Sequence, residues 1–165
     1  MNYYLLILVV AVISIGCQTQ SIEAQTAGIT LVRNGIPRAI IAIAEDPDEH
    51  EQLAVEELQI HLEKMSGAKV DAVTIKVDGA KSFIAETRAA KKTPILIGRI
   101  TGERLAKEFK KPPTRGAFVL QVADGAVRIQ GLKEGSYYGV IELLEQLGCR
   151  WFMPGDLGAV IPKLE

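Results

Sequence analysis

The spacing of apolar and polar positions predicts two main helices, one near the middle of the chain and one near its end. In the first, apolar residues recur on one stripe when successive residues are placed 100° apart, which is the pattern of a helix with one core-facing side. The members of this stripe are Ala54, Val55, Leu58, Leu62 and Met65. Asp46 is the expected N-cap, Pro47 suits the first helical position, and Glu49 stands where a capping box places its carboxylate. Gly67 is the expected residue after the helix end.

The second helix is predicted from about Ser136 to Leu147, followed by Gly148. Its apolar arc of roughly 160° is wider than a single core face requires. The arc consists of Tyr137, Val140, Ile141, Leu143, Leu144 and Leu147. Each large apolar side chain removed from water contributes roughly 1.5–3 kcal/mol, so we expect this helix to be covered from two directions.

On the first helix, Leu53 and Ile60 lie almost opposite the core stripe. They are either isolated exposed apolar side chains, which are common, or part of a second contact face.

Strand-like segments lie between and around these helices. They occupy residues 29–33, 38–44, 70–77, 94–98, 118–122 and 127–129. The pairs Asn34-Gly35 and Asp124-Gly125 are typical of tight hairpin turns. Short helices are predicted around residues 84–90 and 101–109. This order of elements predicts an α+β fold, with a mostly antiparallel or mixed sheet and the two main helices packed on one face.

The first residues of the chain resemble an export leader. Residues 5–15 form an apolar run that is too short to span a membrane and is typical of a signal-peptide core. Cys17 after Gly16 partly matches the lipidation motif of bacterial lipoproteins, although Ser14 departs from it. Lipid attachment at Cys17 and ordinary cleavage near Ala24 or Ala27 are both open. We expect an extracytoplasmic protein with a leader and linker in residues 1–27 and one domain in residues 28–165.

Charge and cysteine content restrict the function further. The chain has 165 residues and a formal net charge of −1, which argues against nucleic acid as a partner. The pairs Lys91-Lys92 and Lys110-Lys111 lie in loop-like stretches, where we interpret them as solvated side chains. Cys149 stands among apolar and aromatic residues and is interpreted as a small buried core residue.

Three patterns that suggest chemistry do not have the required spacing. His50-Glu51 begins like a zinc motif, but Ala54 replaces the second histidine, and His61 lies roughly 16 Å farther along the helix. Glu142 and Glu145 lie on the polar stripe of the second helix rather than on either side of a cleft. We therefore predict no catalytic residue, no metal site and no cofactor.

Gly131, Gly135 and Gly139 do not form a phosphate-binding loop, since their spacing matches neither glycine-rich motif. We interpret Gly135 as easing the turn into the second helix. We interpret Gly139 as allowing that helix to approach another backbone closely.

One long segment, GSYYGVIELLEQLGCRWFMPGDLGAVIPK, resembles a known family. Together with AVEELQIHLEKMSGAKV, TPILIGR and FVLQVADGAVRIQG, it is similar to the N-terminal accessory domain of bacterial alpha-glucuronidases, and a similar domain precedes the barrel of beta-N-acetylhexosaminidases. The resemblance covers most of residues 29–162. It implies a sheet whose helices pack against a catalytic (β/α)8 barrel that carries the catalytic carboxylates. Because the chain stops at Glu165, no catalytic position can be transferred to it.

The resemblance predicts the front domain of an exported glycoside hydrolase, here without its barrel. The barrel-docking surface would comprise Leu53, Ile60, Tyr137, Tyr138, Ile141, Leu144, Trp151 and Phe152. The alternative is a stand-alone secreted or lipid-anchored module that presents Trp151, Tyr137 or Tyr138 to carbohydrate or to a protein. Exposure of the apolar helix faces distinguishes these hypotheses, since a stand-alone module should hide them.

Overall fold

The structure is a computed structural model that describes residues 29–101, 116–153 and 155–163. The predicted leader, with Cys17, lies outside the described residues, as does the predicted helix after Thr101. The strands are β1 Val32–Arg33, β2 Ile36–Pro37, β3 Ala39–Ala44, β4 Ala72–Ile75, β5 Thr93–Ile97, β6 Phe118–Ala123, β7 Ala126–Gly131, β8 Arg150–Trp151 and β9 Ala159–Val160. The helices are α1 Glu49–Ser66, α2 Ala80–Ala89 and α3 Gly135–Gln146.

A five-stranded mixed sheet with the order β4-β3-β5-β7-β6 forms the centre of the domain. The α+β class and the mixed sheet are confirmed. The pairing is not mostly antiparallel, however, since β3 runs parallel to both β4 and β5, and β5 runs parallel to β7. Only the β6–β7 pair of this sheet is antiparallel among the described residues. For β3, β4 and β5 the reason is that α1 and α2 each carry the chain back along the sheet, so that the next strand begins at the same end.

Helices cover the two faces of the sheet unequally. On one face, α1 and α3 pack over Ile41 of β3, Ile95 of β5 and Ile129 of β7. The two main helices therefore lie on one side of the sheet, as predicted. On the other face, α2 packs through Phe83 and Ile84 against Ala42, Leu96 and Ile100. Every residue of β5 is buried, as expected for a central parallel strand with helices on both sides.

Helix α1 begins two residues later than predicted. The N-cap is Asp48 rather than Asp46, and its side chain accepts a hydrogen bond of 2.8 Å from the backbone N–H of Glu51. Glu51, not Glu49, completes the capping box by accepting from the N–H of Asp48 at 3.2 Å. Gly67 follows the helix in the left-handed conformation, with φ of 73°, as predicted.

Both predicted tight turns are confirmed. Asn34 and Gly35 have φ values of 52° and 69°, and Asp124 and Gly125 have 52° and 66°, as a type I′ turn requires. The first turn joins only the two-residue strands β1 and β2, since β3 leaves this hairpin and enters the central sheet. The second joins β6 to β7 in full register.

Glycines allow α3 to lie against the sheet. A Cβ on Gly131 would overlap the backbone of Gly135, and one on Gly135 would overlap the carbonyl of Ala117. A Cβ on Gly139 would lie 2.5 Å from the Cγ2 atom of Ile129. The regular glycine spacing therefore serves close packing, although Gly139 approaches a side chain and not the backbone that we expected.

Candidate functional site

The outward face of α1 and α3 carries most of the predicted docking surface. Leu53, Ile60 and Tyr138 are 44%, 46% and 48% exposed. Tyr137 and Ile141 are half-buried, and burial together with the negative charge of Glu57 raises the pKa of Tyr137. We define the helix face as these five residues: Leu53, Ile60, Tyr137, Tyr138 and Ile141.

Leu144 does not belong to this surface. It is fully buried within the domain's own core, so its inclusion in the docking surface was wrong. The physical reason is the rotation of α3 about its axis, which points Leu144 and Val140 into the core and leaves Ile141 partly in solvent. The wide apolar arc is therefore partly covered by the domain itself.

Trp151 and Phe152 lie beyond the end of α3 and differ in their surroundings. The Trp151 ring is half-buried and packs edge-on against the His61 ring, with centroids 5.4 Å apart. His61 is buried, and its Nδ1 atom lies 3.0 Å from the carbonyl oxygen of Glu57. Phe152 is exposed in the loop between β8 and β9, where Leu157 is 99% exposed. This loop extends the exposed apolar surface beyond the two helices.

The carboxyl ends of the parallel strands would be the usual ligand site in a sheet of this kind. Here the side chain of Glu51, only 5% exposed, reaches the loop after β5 and accepts a hydrogen bond of 2.9 Å from the backbone N–H of Arg99. Arg99 in turn pairs with Asp46 at 2.6 Å, which lowers the pKa of that carboxyl. The buried carboxylate of Glu51 and the Arg99–Asp46 pair thus lie at this end of the sheet.

At the opposite end of the sheet, the amino ends of β3 and β5 border an open cavity of about 470 Å³ with a mixed polar and apolar lining. Four cationic side chains line it: Arg33, Arg38, Lys91 and Lys92. Lys91 is exposed, in line with its interpretation as a solvated side chain, but the sequence analysis did not place Lys91-Lys92 beside Arg33 and Arg38. The signal that could have found the grouping is the position of Arg38 and Lys92 directly before strands that prove to be neighbours.

Lys91 adopts the left-handed conformation, with φ of 57°. This conformation costs a residue other than glycine roughly 1–2 kcal/mol. The backbone N–H of Lys91 donates to the carbonyl of Arg88, and that of Lys92 donates to the carbonyl of Thr87, so the main chain itself caps the end of α2.

A second cavity, of about 300 Å³, lies nearby and has an apolar lining that includes Leu31, Leu62, Met65 and Leu147. Close to it, Cys149 is fully buried, with its sulfur 3.8 Å from that of Met65, and burial raises the pKa of its thiol. This confirms the interpretation of Cys149 as a core residue.

The histidines of α1 and the glutamates of α3, which the sequence analysis tested as chemical motifs, are not grouped into a site among the described residues. His50 and His61 lie on different turns of α1, and no group of three or more potential metal-binding side chains occurs among the described residues. Glu142 accepts a hydrogen bond from Gln146 on α3, while Glu145 is exposed. In the part of the chain that the structure describes, no helix is long and apolar enough to cross a bilayer.

A scan of this chain against models of protein families finds no match, and neither does a search among proteins of curated function.

Proposed function

We propose that residues 28–165 form the non-catalytic N-terminal accessory domain of an exported glycoside hydrolase of the alpha-glucuronidase type. The protein would act outside the cytoplasm in carbohydrate degradation. Its partner would be a (β/α)8 catalytic domain that supplies the catalytic carboxylates. The motif from Gly135 to Pro162, on which the family resemblance mainly rests, supports this proposal.

The observation that carries the proposal is the exposure of the helix face. Leu53, Ile60 and Tyr138 each keep nearly half of their surface in water, although the adjoining core is fully buried. Large exposed apolar side chains that group into one patch mark a contact with another domain or protein, and the proposal takes these side chains on α1 and α3 to be such a patch. A catalytic domain packed on α1 and α3 would remove these side chains from solvent.

The DNA downstream of the codon for Glu165, or a neighbouring gene, should therefore encode a barrel with paired catalytic carboxylates. That barrel, produced separately, should bind the present chain. Leu53→Lys combined with Ile60→Lys should weaken the complex by about tenfold or more, because two apolar side chains lose their contact. Isothermal titration calorimetry would measure the change.

The matched control is Ile36→Lys combined with Val77→Lys. These residues are similarly exposed, and both lie outside the helix face. The control should bind the barrel as tightly as the unaltered chain. The absence of any barrel-encoding DNA at the locus, or equal weakening by both double variants, would refute the proposal.

A stand-alone carbohydrate-binding module is the second candidate, and the half-exposed ring of Tyr138 is the observation that favours it. Trp151 is less suited to stacking on a sugar, since its ring already packs against His61. Millimolar or tighter binding of neutral oligosaccharides by the chain alone, lost in Tyr138→Ala, would support this candidate over the first.

A further inference from the structure

We propose that the cationic cavity at the amino ends of β3 and β5 binds a small molecule that carries at least two oxyanion groups, either carboxylates or phosphates. This site is separate from the helix face and does not depend on the function proposed above. Glu51 and Arg99 meet at the carboxyl end of β5, whereas this site lies at the other end of the sheet.

The first argument is the convergence of positive charge from distant parts of the chain. Arg33 ends β1, Arg38 directly precedes β3, and Lys91 and Lys92 connect α2 to β5. Arg88 does not line the cavity but is a fifth cation beside it, since its Nε atom lies 3.8 Å from the position that a Cβ on Gly125 would take, and Gly125 does line the cavity. Water screens the repulsion between these mostly exposed cations, and a bound anion would lower it further.

The second argument is that the protein does not neutralise them. Within the described ranges, the contacts between basic side chains and carboxylates join Arg99 to Asp46 and the His61 ring to Glu57. None of the five cations is paired with a described carboxylate, although Asp124 adjoins Gly125 in the turn. Their side chains therefore keep their donors available for a ligand.

The walls of the cavity are fixed by hydrogen bonds that do not use these charges. The Thr93 hydroxyl donates to the carbonyl of Thr30 at 2.9 Å, and the Thr93 N–H donates to the carbonyl of Arg38. The turn after α2 is held by its own backbone, so the lysine side chains are not needed to cap the helix. The cavity volume of about 470 Å³ is within the range of small-molecule sites.

The test measures binding of pyrophosphate and of trigalacturonate to the full chain by isothermal titration calorimetry, with maltotriose as a neutral comparison. At least one anion should bind, more weakly as salt is raised, while maltotriose should not. The preferred anion identifies phosphate or carboxylate chemistry. The variant Arg38→Gln combined with Lys92→Gln should weaken binding by about tenfold or more, since two charge-assisted contacts are lost.

The matched control is Lys76→Gln combined with Lys81→Gln, which removes the same charge at the other end of the sheet. It should leave anion binding within about twofold of the unaltered chain. Circular dichroism melting would verify that both double variants are folded. The proposal is overturned if neither anion binds, if both doubles weaken binding equally, or if a short single-stranded oligonucleotide binds far more tightly than either small anion.

Discussion

The carboxylate of Glu51 occupies the space in which a Cβ on Gly98 would lie. Gly98 has a left-handed φ of 80°, which glycine adopts without strain. The contact joins the first turn of α1 to the loop after β5, and the adjacent N–H of Arg99 completes it by donating to Glu51. A buried carboxylate thus connects two elements that are far apart in the sequence.

Gly98→Ala should lower the free energy of unfolding by about 2–4 kcal/mol, since the new methyl group overlaps Glu51 and the backbone must keep a strained φ. Urea denaturation would measure the loss. Gly79→Ala is the control, because Gly79 has a φ of −78° and a Cβ at that position would meet no other atom within 4 Å. A loss below about 1 kcal/mol at Gly98 would contradict the packing described.

Gly139→Ala should separate α3 from β7 and cost about 1–3 kcal/mol, because the added Cβ would press on Ile129. Ile129→Ala alone leaves a cavity and should cost about 2–5 kcal/mol. The double variant should be more stable than the sum of the two losses predicts, since the methyl group added at position 139 fills part of the cavity left at position 129. Strict additivity in a double-mutant cycle would argue against direct contact.

Leu144→Ala should cost about 2–5 kcal/mol, as for a fully buried leucine, whereas Leu53→Lys should change stability by less than about 0.5 kcal/mol. Chemical denaturation of both variants would measure the contrast. Similar losses at the two positions would mean that Leu53 is covered by the protein itself.

The thiol of Cys149 should not react with a disulfide reagent until the protein unfolds, since it is fully buried and burial raises its pKa. An unfolded thiol titrates near the ordinary pKa value of 9.0. Because its pKa is higher in the folded protein, the thiol holds its proton more tightly there than in the unfolded chain, which stabilises the fold. This contribution is complete below pH 9.0 and is lost as the pH rises through the folded-state pKa.

Unfolding measurements at about pH 8 and about pH 10.5 would test this linkage. The unaltered chain should lose more stability between the two values than Cys149→Ala, which has no thiol to titrate. In a Cys17→Ala variant, which leaves Cys149 as the one thiol of the sequence, equal labelling rates for native and unfolded protein would contradict the burial of Cys149.

Several features follow from short stretches of sequence alone. Asn34-Gly35 and Asp124-Gly125 adopt the backbone angles that their composition favours, and Gly67 ends α1 as expected. The position of the α1 N-cap could not be predicted this way. Asp46 and Asp48 are both residues that cap helices well. Glu51 completes the capping box with Asp48 and also accepts a hydrogen bond from Arg99, 48 positions away, so a contact distant in sequence favours Asp48.

The sequence by itself determined the two main helices, the tight turns and a buried strand, predicted at residues 94–98 and found at Thr93–Ile97, because these depend on residues that are near each other in the chain. Only the tertiary structure decided the parallel pairing of β3 with β5 and the burial of Leu144 next to the partly exposed Ile141. It also decided that Arg33, Arg38, Lys91 and Lys92 line the same cavity. The physical reason is that strand order and helix rotation are set by burial of the whole core, to which each residue contributes through neighbours distant in sequence.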